Sequence, residues 1–295
     1  MRVNPNPYPD ILAEASLTQQ QIATDEQQIA TGYSVNQPSD NPAAAAVLVQ
    51  NANETSAADQ FQRSLESVQG QIQNADSTLN SVITALQQAI SLGTEGANGT
   101  NNASDRQAIA IQVQGIQSQL VSLANLSYQG NYVFGGTATQ TTPYVLDNAS
   151  NSGVTYQGNS GTNSVTLGDH FTLQTNLPGS QLFSNPSNGV FQSIQDLINS
   201  LESGQGIGAA VTEVGNASSY VSAQRVFYGN ALDQLNAQQT YLSGETTQLA
   251  SQQNTEGGAN LPAVISNLTT AQTALQATFA AVAQTAHTSL FDYLK

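Results

Sequence analysis

Two histidines and no cysteine bound the chemistry open to this 295-residue chain. His170 and His287 lie in unrelated segments, and no Asp or Glu is spaced to complete a metal site with either. Without cysteine there is no disulfide, no thiolate ligand and no thiol nucleophile. Gly204-Gln205-Gly206-Ile207-Gly208 has the glycine density of a phosphate loop. It lacks the preceding strand and the lysine, and reads instead as a hinge before a helix. Gly158-Asn159-Ser160-Gly161 is no nucleophile elbow, because no His or acid is arranged around it. It reads as a hairpin turn. Asn98-Gly99-Thr100 is a triplet that Asn- and Ser-rich sequence produces by chance. Neither a catalytic residue nor a metal or cofactor follows from these segments, and no enzyme is expected.

The bulk composition points the same way. Charged residues are 8% of the chain, against roughly 25% in an average domain. The polar surface must then be Gln, Asn, Ser and Thr. The net charge is −15, and the five bases are Arg2, Arg63, Arg106, Arg225 and Lys295. Nucleic acid and anionic membrane surfaces are unlikely ligands for so few, unclustered cations. No stretch approaches the roughly 18 apolar residues of a membrane helix. Met1 to Pro7 has no apolar signal-peptide core, so secretion would need a route without a Sec signal peptide.

The fold class expected is mainly α with a β-rich insert. A long antiparallel coiled-coil bundle comes from the N- and C-terminal segments, and a small β domain is inserted in the middle. The clearest helix runs from Pro42 to about Leu92. Ser39, Asp40 and Asn41 offer N-caps, and Pro42 suits the first helical position because its missing N–H is no loss there. Phe61, Leu65, Val68, Ile72, Ala75, Leu79, Val82, Leu86 and Ala89 alternate at steps of four and three. That is the seam of a coiled coil. Gly93, Gly96 and Gly99 are read as its end. A second helix, capped by Ser104 or Asp105, continues the spacing through Ile109, Val113, Ile116, Leu120 and Leu123. The short turn between the two makes them antiparallel neighbours.

A third long helix is expected over Ile207 to Gln253. Its seam reads Val211, Val214, Ser218, Val221, Arg225, Tyr228, Leu232, Leu235, Gln239, Leu242, Thr246 and Leu249, weakened by its polar members. Arg225 has two readings. It pairs with an acid such as Glu66 or Asp76 and fixes register, or its stem packs while its head reaches water, the reading preferred on sequence alone. The middle segment alternates like β structure. Val154-Thr155-Tyr156 and Val165-Thr166-Leu167 favour strands, Gly168-Asp169 can turn, and Phe171-Thr172-Leu173 can return. An amphipathic helix from Val190 to Leu201 closes the insert.

The chain ends differ from everything else. Residues 257–291 hold no Asp, Glu, Lys or Arg, yet Leu261, Val264, Leu268, Ala271, Leu275 and Val282 keep helical spacing. Asn, Thr and Gln in every turn exclude a membrane span. The segment Ile11 to Ile29, with Leu12, Ala15, Ile22 and Ile29 at heptad-like spacing, is its expected partner. A charge-free helix can pack on several sides with no ion to desolvate. The ends are therefore read as loose in the monomer and ordered in an assembly. The residues expected to carry contacts are Leu12, Ile22, Ile29, Leu261, Val264, Leu268, Leu275, Val282, Leu290 and Phe291. Ser39, Asp40, Asn41 and Pro42 form the helix cap and domain junction.

These ends also carry a resemblance. Ile22-Ala23-Thr24, Ile29-Ala30-Thr31-Gly32 and Gln37-Pro38-Ser39-Asp40-Asn41-Pro42-Ala43-Ala44 resemble the start of flagellin-family proteins. Gly130-Asn131-Tyr132-Val133-Phe134-Gly135-Gly136 resembles a hallmark of the FlgL branch of that family. The insert run from Val154 to Ser180 and the end Leu290-Phe291-Asp292-Tyr293-Leu294 are similar to that branch too. Pro5, Pro7 and Pro9 depart from the pattern and predict an extended start.

The resemblance implies a structural subunit of the bacterial flagellum at the hook–filament junction. It would be a homo-oligomeric ring between a FlgK-like hook-associated protein and flagellin. It would be exported by the type III route with a FlgN-like chaperone, and end up extracellular. The division it implies is an assembly segment at 1–41, helical-domain parts at 42–136 and 206–254, an insert at 137–205, and an assembly helix at 255–295. A filament-forming flagellin, or a secreted adhesin on a helical stalk, are the alternatives.

Overall fold

The computed structural model describes residues 8–147, 149–168, 171–187 and 189–287. The first seven residues, His170, the side chain of His287, and the terminal Leu290, Phe291 and motif lie outside what it describes. Helices dominate: α1 Tyr8–Thr31, α2 Pro42–Gly96, α3 Ala103–Ala124, α4 Gly179–Leu182, α5 Val190–Ser203, α6 Ile207–Gly257 and α7 Leu261–His287. Between α3 and α4 lie three two-stranded antiparallel pairs: β1 Ser127–Tyr128 with β2 Asn131–Tyr132, β3 Tyr144–Leu146 with β4 Val154–Tyr156, and β5 Ser164–Thr166 with β6 Thr172–Gln174. The chain divides into two compact units, the described residues of 1–57 with those of 244–295, and the described residues of 58–243. The boundaries fall inside α2 and α6 rather than at the helix ends where composition changes.

The larger unit is built on the α2 seam. Leu65, Val68, Ile72, Ala75, Leu79, Val82, Leu86 and Ala89 are all buried, and Phe61 is half-buried. That is the stripe the four-three spacing predicts. Three cross-links show that α6 runs antiparallel to α2. Gln69 donates to Asn236, Arg225 reaches Asp76, and Gly93 lies against Val211. Of the glycines read as the end of α2, Gly96 is its last residue, and Gly93 and Gly96 have a packing role as well. The helix continues to Gly96, and a Cβ on Gly93 would stand 2.6 Å from Val211 and 2.9 Å from Leu197. Gly93 and Gly96 therefore mark where α5 and α6 come closest, which only a missing side chain permits.

The α6 seam differs from its expected register in half its positions. Val214, Val221, Tyr228, Leu235, Leu242 and Leu249 are buried as expected. The alternate positions are filled by Ile207, Ala210, Ala217 and Ala231, while Val211, Ser218, Arg225 and Leu232 are only half-buried at the flank. Small alanines let the helices approach, so the seam is tighter than its polar members implied. The α3 cap also shifts. Asn102, not Ser104 or Asp105, is the N-cap, accepting from the N–H groups of both, while the Asp105 side chain accepts from the Asn102 N–H. This reciprocal box satisfies donors that the helix start leaves open.

Arg225 takes the ion-pair reading rather than the solvent-reaching one. Its Nε and Nη2 both donate to the Asp76 carboxylate at 2.8 Å, and Nη1 donates to Asn80 Oδ1 at 2.9 Å. The pair is about 30% exposed, so water screens it in part. The two-pronged geometry still ties one turn of α6 to one turn of α2. Arg225→Ala is expected to cost about 1 kcal/mol, which is a melting point about 2–4 °C lower for a unit of this size. Thermal unfolding followed by circular dichroism checks it, and melting equal to the parent would remove any register role.

The insert packs on the helices within this unit. The β5–β6 pairing matches the expected return of Phe171-Thr172-Leu173, in register Val165 opposite Leu173. The β4 strand pairs with β3, not with β5, so the segment 158–161 is not a hairpin turn. Asn159 instead holds the Gly135–Thr137 bend: its N–H donates to Gly135 O, and its Oδ1 accepts from Thr137 N–H at 2.8 Å. The Gly130–Gly136 phrase has a packing role. Gln129 and Gly130 both take positive φ, which closes the β1–β2 hairpin. Val133 and Phe134 then enter the core, where Phe134 meets Phe183 edge-to-face at 5.3 Å. Tyr144 stacks beside Tyr156 and Phe191, both at 4.9 Å. Burial pushes the Tyr144 and Tyr228 phenols well above their usual range, so both serve as neutral hydrogen-bonding groups. Tyr228 accepts from Leu177 N–H and so pins the insert to α6.

Candidate assembly surface

The smaller unit consists of α1, the turn after it, the start of α2, the end of α6, and α7. Backbone bonds knit it at one point. Ser34 N–H donates to Gly257 O at 2.7 Å, and Ala259 N–H donates to Gly32 O at 2.9 Å. This puts the end of α1 beside the start of α7. Because the two helices pack on each other, they run antiparallel. Gly32, at φ +74, ends α1 in the left-handed conformation that terminates helices.

The cap residues divide their work. Asn41 Oδ1 accepts from Ala44 N–H at 3.2 Å, and Asn41 O takes the first helical bond from Ala45, with Pro42 following as the first helical residue. Asp40 does not cap α2. Its carboxylate accepts from the N–H groups of Asn36 and Gln37 at 2.9 and 2.8 Å, bracing the turn between α1 and α2. Ser39 stands exposed.

On α7, Val264 is buried and Leu268, Ala271, Leu275, Thr278 and Val282 are half-buried, again at steps of four and three. Leu261 lies outside that stripe at 39% exposed. The matching stripe on α1 is Ile11, Ala15, Thr18, Ile22, Asp25 and Ile29. Leu12 was the expected seam residue, but it points outward at 59% exposed and Ile11 takes its place. Thr18 and Asp25 were not expected in the seam at all. Apolar spacing alone passes over polar residues on the same stripe.

What the unit lacks is a core. Among the described residues, its buried hydrophobic side chains are Ala15, Ala44, Leu249 and Val264, two of them alanines. Seven of the twelve large exposed hydrophobics belong to it, although it holds little more than a third of the chain. Leu12 and Leu17 stand on α1, and Ile265 and Phe279 on α7. The polar residues between them are quiet. Thr269, Thr270 and Thr273 donate their hydroxyls to the carbonyl four residues back in their own helix, leaving methyl groups outward. An isolated pair of such helices is marginal in water.

Among the described residues, no group of three His, Asp or Glu could hold a metal, and no helix is long and apolar enough to cross a membrane.

Comparison with known proteins places this architecture. Residues 7–139 match the model of the bacterial flagellin N-terminal helical region. A 119-residue stretch is 33% identical to the flagellar hook-associated protein 3 of Escherichia coli K12. That stretch is 40% of this chain and 38% of the curated relative. A solved Vibrio parahaemolyticus chain described as a flagellar hook-associated protein aligns at TM-score 0.67 and 21% identity. The alignment covers 73% of this chain and 98% of that one. The flagellar junction protein FlgL of Legionella pneumophila aligns at TM-score 0.61 and 12% identity, covering 72% and 100%. The two structures establish a shared helical fold with a small strand-bearing insert.

Proposed function

We propose that this chain is a structural subunit of the bacterial flagellum, acting at the junction between hook and filament. It forms a ring with copies of itself, and joins a FlgK-like hook-associated protein on one side to flagellin on the other. A FlgN-like chaperone holds its C-terminal segment before export without a Sec signal peptide. The observation that carries this reading is the small unit whose α7 has no Asp, Glu, Lys or Arg and whose described residues bury almost no core. Such a unit acquires its packing from neighbours, and the five segments of the chain would then serve as inner pair, helical shell and outward insert. The similarity to hook-associated proteins supports the location.

The test is polymerisation. Purified chain, seeded or salted, is expected to stay monomeric and to add as a thin cap to hook ends that carry a FlgK-like protein. Long filaments in solution would identify a filament flagellin instead. Binding to neither, with loss of a surface-attachment phenotype on deleting residues 140–188, would favour an adhesin.

A further inference from the structure

Asp25 sits in the α1 seam at 2% exposed, the most deeply buried carboxylate among the described residues. Gln21 Nε2 donates to its Oδ1 at 2.9 Å, one turn away on the same helix. Its Oδ2 is buried and has no hydrogen-bond partner. Across the seam α7 offers no Lys or Arg. Among the described residues of this unit there is no Lys or Arg. A buried acceptor left unmade costs its full desolvation, and a carboxylate more than a neutral group. The isolated subunit gains nothing from it.

We propose that Asp25 is an acceptor held for a second copy of this chain. In the isolated subunit it weakens the α1–α7 pair. When the pair repacks against a neighbouring copy, Oδ2 takes an amide or hydroxyl donor from that copy. The neighbour is the occupant because the outward side of α7 has no Asp, Glu, Lys or Arg and exposes Ile265 and Phe279, which match Leu12 and Leu17 exposed on α1 of a second copy rather than an ionic partner. The donor is uncharged because these helices offer Gln, Asn, Ser and Thr. A carboxylate surrounded by such donors is satisfied by charge-assisted bonds without a counter-ion. This inference rests on the proposed self-association, and adds the residue that selects it.

The experiment uses the full chain carrying one engineered cysteine for labelling, which is specific because the chain has none of its own. Parent, Asp25→Leu and Asp25→Asn are expressed in the source bacterium lacking its own copy, and label at hook ends is counted against exported protein. Hydrogen exchange of residues 8–31 and 261–287 is measured on each purified monomer. Asp25→Leu is expected to exchange about tenfold more slowly in the monomer, yet occupy hook ends at least about tenfold less, each a change of roughly 1.4 kcal/mol. Asp25→Asn keeps an acceptor and is expected to assemble within about threefold of the parent. Parent-level assembly of Asp25→Leu would overturn the proposal. So would Asp25→Asn failing as badly as the leucine variant, since that would require a charged donor. Failure of the parent itself to label hook ends would instead strike the junction reading.

Discussion

Replacing Phe134 with alanine is expected to lower the stability of the larger unit by about 3–5 kcal/mol, the range for removing a fully buried aromatic ring. Phe134 is 0% exposed and packs edge-to-face on Phe183. Its own carbonyl accepts from Gly179 N–H at 2.8 Å and from the Tyr156 hydroxyl at 3.1 Å. The ring thus sits where the Gly130–Gly136 bend, the start of α4 and the aromatic cluster meet. Truncation leaves a cavity that these three elements cannot close without breaking backbone bonds. Urea unfolding monitored in the near-ultraviolet, where the tyrosines of the cluster report, should show the midpoint falling and the aromatic signal fading. A loss below about 1 kcal/mol would mean that the bend tolerates the void. The Gly130–Gly136 phrase would then need a role other than packing. Phe134→Leu, which fills most of the volume, should recover much of the loss.

The same residues show what could and could not be read without coordinates. The α2 seam was legible because large apolar residues recur there at a strict coiled-coil period. The α6 seam was legible only in alternate positions. Ala210, Ala217 and Ala231 line the contact, but alanine carries little hydrophobic weight, so Val211, Ser218 and Leu232 were counted in their place. On α1, Ile11 and Leu12 are adjacent and the period alone cannot choose between them. The choice is made by Thr18 and Asp25, polar residues on the buried stripe. The strand β3 escaped notice because three residues carry too little alternation. Its place is set by Asn125, which exchanges hydrogen bonds with the backbone of Tyr144 across a long loop. Gly96 does end α2, but the close contacts of Gly93 and Gly96 were missed, because a glycine late in a helix serves equally as terminator or close contact. Distance to Leu197 and Val211 decides, and only the fold supplies it. For the assembly surface, composition marked out the helix, whereas the want of a core around it became visible only with exposure values.

Leu268→Asp is expected to abolish assembly while leaving the larger unit intact. Leu268 lies on the α7 stripe that faces α1 and is half-buried in the isolated chain; the proposed self-association would bury it more deeply. The α1 stripe already holds Asp25, and no cation on α7 can neutralise a second carboxylate. An uncompensated charge buried in such a seam costs about 3–5 kcal/mol, a factor of about 100 to 1,000 or more in the equilibrium for joining a neighbour. Hook-end occupancy should therefore fall below detection. In the monomer the cost is smaller, because α1 and α7 can part and hydrate the new charge. The denaturation midpoint of residues 58–243 should stay that of the parent, since none of that unit's buried side chains belongs to α7. Exchange over 8–31 and 261–287 should quicken toward that of an unpaired chain. The contrast with Phe134→Ala is the informative part. One substitution removes stability and leaves the assembly surface chemically unchanged, and the other does the reverse. If Leu268→Asp lowered the midpoint of the larger unit as well, the two units would be folding together. A loose terminal pair waiting for neighbours would then be the wrong description of this chain.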